Sequence, residues 1–137
     1  MPNPIYQDGP AVEFPLGVPA VYAAEQVKLT IKIYIEGDGW LLRSATDIFL
    51  GGVDVNPDRS APENLVLDSA GHLLGKMLQI TSNVSKIYPD GEVSNYPRVR
   101  LTINLKAGEQ ALAEFSAESD QGSVASFDAL LKFNRQV

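Results

Sequence analysis

The stretch Lys28-Leu29-Thr30-Ile31-Lys32-Ile33-Tyr34-Ile35 decides the fold class. Leu29, Ile31, Ile33 and Ile35 fall on one side of an extended chain; Lys28, Thr30, Lys32 and Tyr34 fall on the other. Successive side chains of a strand point to opposite faces, so this strict alternation predicts a strand with one face on a core and one in water. Gly37-Asp38-Gly39 follows it with a turn.

Val99 to Leu105 repeats the pattern, with Val99, Leu101, Ile103 and Leu105 on one face and Arg98, Arg100, Thr102, Asn104 and Lys106 on the other. Ala107-Gly108-Glu109 turns the chain into Ala111, Ala113, Phe115 and Ala117, so a hairpin is expected here. Phe127, Ala129, Leu131 and Phe133 make a last alternating strand. Met77 or Leu78 to Tyr88 reads as a strand, ended by Pro89-Asp90-Gly91. Asn64 to Leu67 reads as a short one, and Asp68 or Ser69 could cap a brief helix running toward Leu78, weakened by Gly71 and Gly75. Trp40 to Leu50 fits a strand or a short helix with Trp40, Ser44 and Ile48 stacked. Val53 to Glu63 reads as loop.

One-side-apolar strands joined by Gly, Pro and Asp turns point to a mostly β protein. The architecture expected is an antiparallel β-sandwich, with a β-barrel as the alternative and one short helix at most. The βαβ rhythm of a parallel sheet is absent. Residues 1–24 form a proline-rich extended arm or lead-in strand, since five of the nine prolines lie within the first 19 residues and disfavour helix there. Residues 25–137 form a single β domain. An arm of this kind either packs along its own domain or docks on a neighbouring subunit.

Composition narrows function by exclusion. The chain has 137 residues, is 45% apolar and 20% charged, and carries a formal charge of −6. One core is within reach, and non-specific binding to nucleic acid or an anionic membrane is disfavoured. With no cysteine there are no disulfides, thiol nucleophiles or thiolate metal sites. No stretch approaches the roughly 20 apolar residues of a membrane span, and Met1-Pro2-Asn3-Pro4 does not open a signal peptide, so a cytoplasmic location is the default expectation.

The single histidine, His72, lies beside Asp68 and Ser69, but closeness in sequence does not make a triad, and no Gly-x-Ser-x-Gly elbow is present. A turn or cap role is expected for it. Asp54, Asn56 and Asp58 place oxygen ligands at alternate loop positions, as calcium sites do. Arg59 and Leu65 stand where an EF-hand needs glycine and glutamate, so only a looser calcium site is open; otherwise no cofactor is expected. Asp38, Asp90, Glu92 and Asp120 are further turn acids, and aspartate favours turns for backbone reasons alone.

Charge placement carries the functional reading. Acids crowd the turns, while Lys28, Lys32, Arg98, Arg100, Lys106 and Lys132 fall on outward strand faces. If the first, the Val99–Leu105 and the last strand share a sheet, that sheet is basic on an otherwise acidic protein. Lys28, Lys32, Tyr34, Arg98, Arg100 and Lys106 are then the candidate partner-binding residues. Such cations also keep a sheet soluble and block edge pairing. The expected function is therefore a non-enzymatic binding or assembly sandwich acting through protein–protein contacts, with a homo-oligomer through the arm as one form. A carbohydrate- or other small-ligand module using Trp40, Tyr34, Tyr88 or Tyr96, calcium-assisted or not, is the alternative. A carboxylate hydrolase comes last.

Overall fold

In a computed structural model, which describes residues 3–7, 9–37, 39–87, 96–119 and 122–136, the two alternating segments become adjacent strands. Gln26–Ile35 (β3) pairs antiparallel with Val99–Ala107 (β8), from Val27 opposite Ala107 to Ile35 opposite Val99. Hydrophobic patterning sets this register, because a one-residue slip would carry every isoleucine of β3 to the solvent face. Leu65–Ser69 (β6) adds on the far side of β3, and Gln110–Ser119 (β9) pairs with β8 as the expected hairpin. The four make one sheet in the order β6-β3-β8-β9.

Val124–Arg135 (β10), Met77–Ile87 (β7) and Leu41–Leu50 (β4) form the centre of a second sheet, with Val53–Asp54 (β5) against the end of β4. The segment that fitted either a strand or a helix is thus a strand. On the other edge of β10 lie Ile5–Gln7 (β1), antiparallel to it, and Glu13–Val18 (β2), parallel to it. Strands of the proline-rich segment are therefore hydrogen-bonded within the chain's own second sheet.

The two sheets pack face to face as a β-sandwich and do not close into a barrel. Leu29, Ile31, Leu101, Ile103 and Leu105 from one meet Ile48, Leu78, Ile80, Phe127, Leu131 and Phe133 from the other, all buried. The interior includes one polar cross-strand pair, Thr46 and Ser82, whose hydroxyl oxygens are 2.9 Å apart. One hydroxyl donates to the other, which offsets part of the cost of burying the pair.

Two expectations are corrected. The helix that starts after Ser69 is a single turn, Ala70–Leu73 (α1), which ends at Leu73 short of Leu78 and has no side-chain cap from Ser69. Gly75, at φ +85°, redirects the chain into β7. The last strand, β10, lies in the sheet opposite β3 and β8. After β9 the chain crosses the sandwich, so Lys132 belongs to the other face, 3.9 Å from Glu13.

Candidate functional site

The outward face of the β6-β3-β8-β9 sheet gathers the six candidate partner-binding residues. On β3 it presents Lys28, Thr30, Lys32 and Tyr34; directly opposite on β8 stand Lys106, Asn104, Thr102 and Arg100. Arg98 lies just before β8. The rows run about 20 Å from the lysine pair to Tyr34 and Arg100, at roughly 3.4 Å per residue.

The cations on this face are not equivalent. Glu118 of β9, opposite Arg100, takes hydrogen bonds from Arg100 Nε at 3.0 Å and Nη2 at 2.7 Å, and Arg98 Nη1 approaches its other oxygen at 3.2 Å. The hydrogen bond from Arg100 and the two guanidinium charges hold the Glu118 carboxyl below its ordinary range, and Glu118 in turn raises Arg100. One carboxylate therefore ties both arginines to the sheet. Lys28, Lys32 and Lys106 have no ion pair among the described residues. Lys28 and Lys106 face each other in register, an arrangement in which like charges repel.

Between the lysine end and the arginine end lies a depression of about 190 Å³ lined by Thr30, Lys32, Tyr34, Thr102, Asn104 and Glu114. Thr30 Oγ1 already accepts the Asn64 N–H at 3.0 Å. Tyr34 is 52% exposed and forms its aromatic wall. Of the other aromatic candidates, Trp40 and Tyr96 pack against each other with ring centroids 5.6 Å apart and planes tilted by 57°, and Tyr88 lies outside the described residues.

The Asp54, Asn56 and Asp58 trio is engaged in building its own loop. Asp54 Oδ1 accepts the Asn56 N–H at 2.9 Å, and Asp58 Oδ1 accepts from Ser60 N and Oγ at 3.3 and 3.1 Å. The buried Asn56 amide donates to the carbonyls of Thr46 and Ser60 at 2.9 and 2.8 Å. Neighbouring Arg59 grips Asp47 through Nε and Nη2 at 2.9 and 3.1 Å, which raises the guanidinium further. Among the described residues no three His, Cys, Asp or Glu side chains gather as a metal set. Asp38, Asp90, Glu92 and Asp120 lie outside the described residues.

His72 is an exposed partner of Asp68, with Nδ1 3.3 Å from Oδ1, one turn apart. The same Asp68 oxygen accepts the Ser69 N–H at 2.7 Å, and that bond, followed by His72, lowers its carboxyl. No described contact joins the Ser69 hydroxyl to His72.

Sequence reasoning missed the role of Glu118. It also missed the Asp47–Arg59 clamp, whose partners stand 12 positions apart. Only the register of β8 against β9 reveals the first, and only the loop's path past β4 reveals the second. The fold and this face together define a β-sandwich with one charged, largely polar sheet surface. No family model, curated protein or solved structure matches the chain. Among the described residues no helix is long and apolar enough to cross a membrane.

Proposed function

We propose that the chain is a non-enzymatic binding domain that engages an acidic partner protein through the outer face of its four-stranded sheet. The observation that carries this reading is the Lys28–Lys106 pair: two cations in register, with no carboxylate against either among the described residues. Repulsion at this point lowers stability. A partner carboxylate between the two ammonium groups relieves it. Lys32 extends the cationic row, while Arg98 and Arg100, already bound to Glu118, contribute shape and partial charge. Such a surface raises association rate and selects partners.

Fluorescein-labelled polyglutamate tests the reading. Its anisotropy should rise saturably with the protein at low salt and fall as salt approaches physiological strength, where charges farther apart than about 8 Å are screened. Lys28→Glu should abolish the rise. Equal binding by this variant and the wild type would remove the face from the function.

A second reading rests on the depression beside Tyr34. A cavity of about 150 Å³ holds a benzene ring, so this one has room for one six-membered ring, and Thr102, Asn104, Glu114 and Lys32 supply both donors and acceptors for hydroxyls. Saturable amide shifts at Thr30, Tyr34 and Asn104 during a glucose or galactose titration would support a sugar ligand. An unchanged spectrum would remove it.

A further inference from the structure

We propose that the open edge of β3 at Ile33 and Ile35 takes up an extended segment of a partner polypeptide as an added strand. The segment is apolar at alternate positions and acidic between them. This deepens the reading above and rests on it for the sign of the partner's charge.

The register determines which backbone groups are open. Glu36 N–H donates to Arg98 O at 3.0 Å, so even-numbered positions of this stretch turn toward β8. Odd-numbered ones turn the other way, and Ile31 N–H donates to Pro62 O at 2.9 Å. β6 pairs only with Gln26–Leu29, so beyond Pro62 nothing described pairs with the N–H and C=O of Ile33 and Ile35. The matching edge of the other sheet loses its cover at the same level. Thr46 N–H meets Arg59 O at 2.9 Å and Val55 N–H meets Ile48 O at 3.0 Å, whereas among the described residues no strand lies beside Leu42 and Ser44 on this edge, which are of the same parity.

Burial changes at the same point. Ile31, Thr46 and Ile48 are at most 3% exposed. The next inward-facing residues, Ile33, Ile35 and Leu42, are only half-buried, and Ser44 is exposed. Among the described residues, the interior is therefore less covered along this corner, between two edges with no described strand partner. On the opposite side the corresponding edge is closed: Asn3 Nδ2 donates to Ser116 O at 2.8 Å, and Gln7 Nε2 donates to Glu118 O. An exposed sheet edge pairs readily with an extended chain, which gains affinity from main-chain bonds and specificity from alternate side chains. Side chains of such a strand that point inward would rest on Ile33, Ile35 and Leu42. Those pointing outward would emerge beside Lys32, which has no carboxylate partner among the described residues.

The test uses the full chain and a labelled, acetylated peptide of alternating valine and glutamate. Saturable anisotropy is expected, with slowed amide exchange at Ile33 and Ile35, which exchange fast in the free protein. N-methylation of alternate peptide residues should weaken binding roughly tenfold or more, the loss of about one hydrogen bond's net energy. Ile33→Pro should fold, since the N–H it removes is not used by the ladder, and should lose the peptide. No saturable binding, equal binding of the N-methylated peptide, or protected Ile33 and Ile35 amides in the free protein would overturn the proposal. Lys28→Glu separates the two readings: peptide binding that survives this change while polyglutamate binding is lost leaves the edge intact, and loss of the peptide alone in Ile33→Pro leaves the face intact.

Discussion

Lys28 and Lys106 occupy opposed positions on β3 and β8 as a hydrogen-bonded pair of the ladder, with Thr30 and Asn104 next along the strands. A sheet under selection for stability alone would place opposite charges there, since an opposite-charge cross-strand pair contributes roughly 0.2–1 kcal/mol and like charges oppose folding. Lys28→Glu is therefore expected to raise the melting temperature by a few degrees while removing the binding of polyglutamate. Thermal unfolding followed by circular dichroism checks the first half. A lower melting temperature would show that the lysine pair is no burden and would weaken the case that it is kept for a partner.

The Glu118 carboxylate gives the face a pH signature. Its folded value is depressed, first by the Arg100 hydrogen bond and then by the two guanidinium charges. A group whose folded value is lowered contributes stability that is fully present above its unfolded value, near 4.3, and is lost as pH falls through the folded value. The chain should therefore lose stability between about pH 5 and the lower folded value. Glu118→Gln should flatten that part of the profile with little change at pH 2. Urea midpoints measured across pH 2–7 would show it, and an unchanged slope in the variant would place the acid sensitivity elsewhere.

Legibility in the sequence followed how local each decision was. β3 and β8 were readable because Leu29, Ile31, Ile33 and Val99, Leu101, Ile103 alternate without interruption. β4 was not, because its buried face carries the polar Thr46, and Trp40, Ser44 and Ile48 also satisfy a helical spacing. Alternation identifies a face but not a sheet, so nothing in Phe127 to Phe133 tells that β10 lies across the sandwich from β8. The same holds for the site. Its cations were visible one strand at a time, whereas the opposition of Lys28 to Lys106 and the hold of Glu118 on Arg100 are properties of register. The Asp54-x-Asn56-x-Asp58 spacing fits turn building and cation binding alike, because turn-building oxygens and metal-binding oxygens come from the same residue types.

The buried Thr46–Ser82 pair should behave as a unit. Thr46→Val leaves the Ser82 hydroxyl without its partner in the core and should cost about 1–3 kcal/mol. Ser82→Ala leaves Thr46 in the same position and should cost a similar amount. With both changed, no hydroxyl remains unsatisfied, so the double variant should be more stable than the sum of the single losses implies. Urea unfolding of the four proteins gives the coupling directly, and strict additivity would mean the two hydroxyls are satisfied independently.

The N-terminal strands should be indispensable to the fold even though they look like an appendage in the sequence. Ile5, Leu16 and Val18 are 6%, 5% and 3% exposed and belong to the core. At about 1.5–3 kcal/mol for each buried aliphatic side chain, their removal is comparable with the entire stability of a typical domain, about 5–15 kcal/mol. Deleting residues 1–19 also strips β1 and β2 from β10 and takes the Asn3 and Gln7 amides off the outer edge of β9. The truncated chain should therefore unfold or aggregate. The double variant Asn3→Ala/Gln7→Ala is milder: the aliphatic side chains stay, the edge of β9 is uncovered, the Ile5 N–H loses the Asn3 Oδ1 acceptor, and roughly 1 kcal/mol per lost hydrogen bond is expected. It should stay folded but self-associate as concentration rises, because an uncovered strand edge is a template for pairing. Light scattering on the full chain, the double variant and the truncated chain separates these outcomes. A truncated chain that remains folded and monomeric would show that the arm contributes nothing to the sandwich it covers.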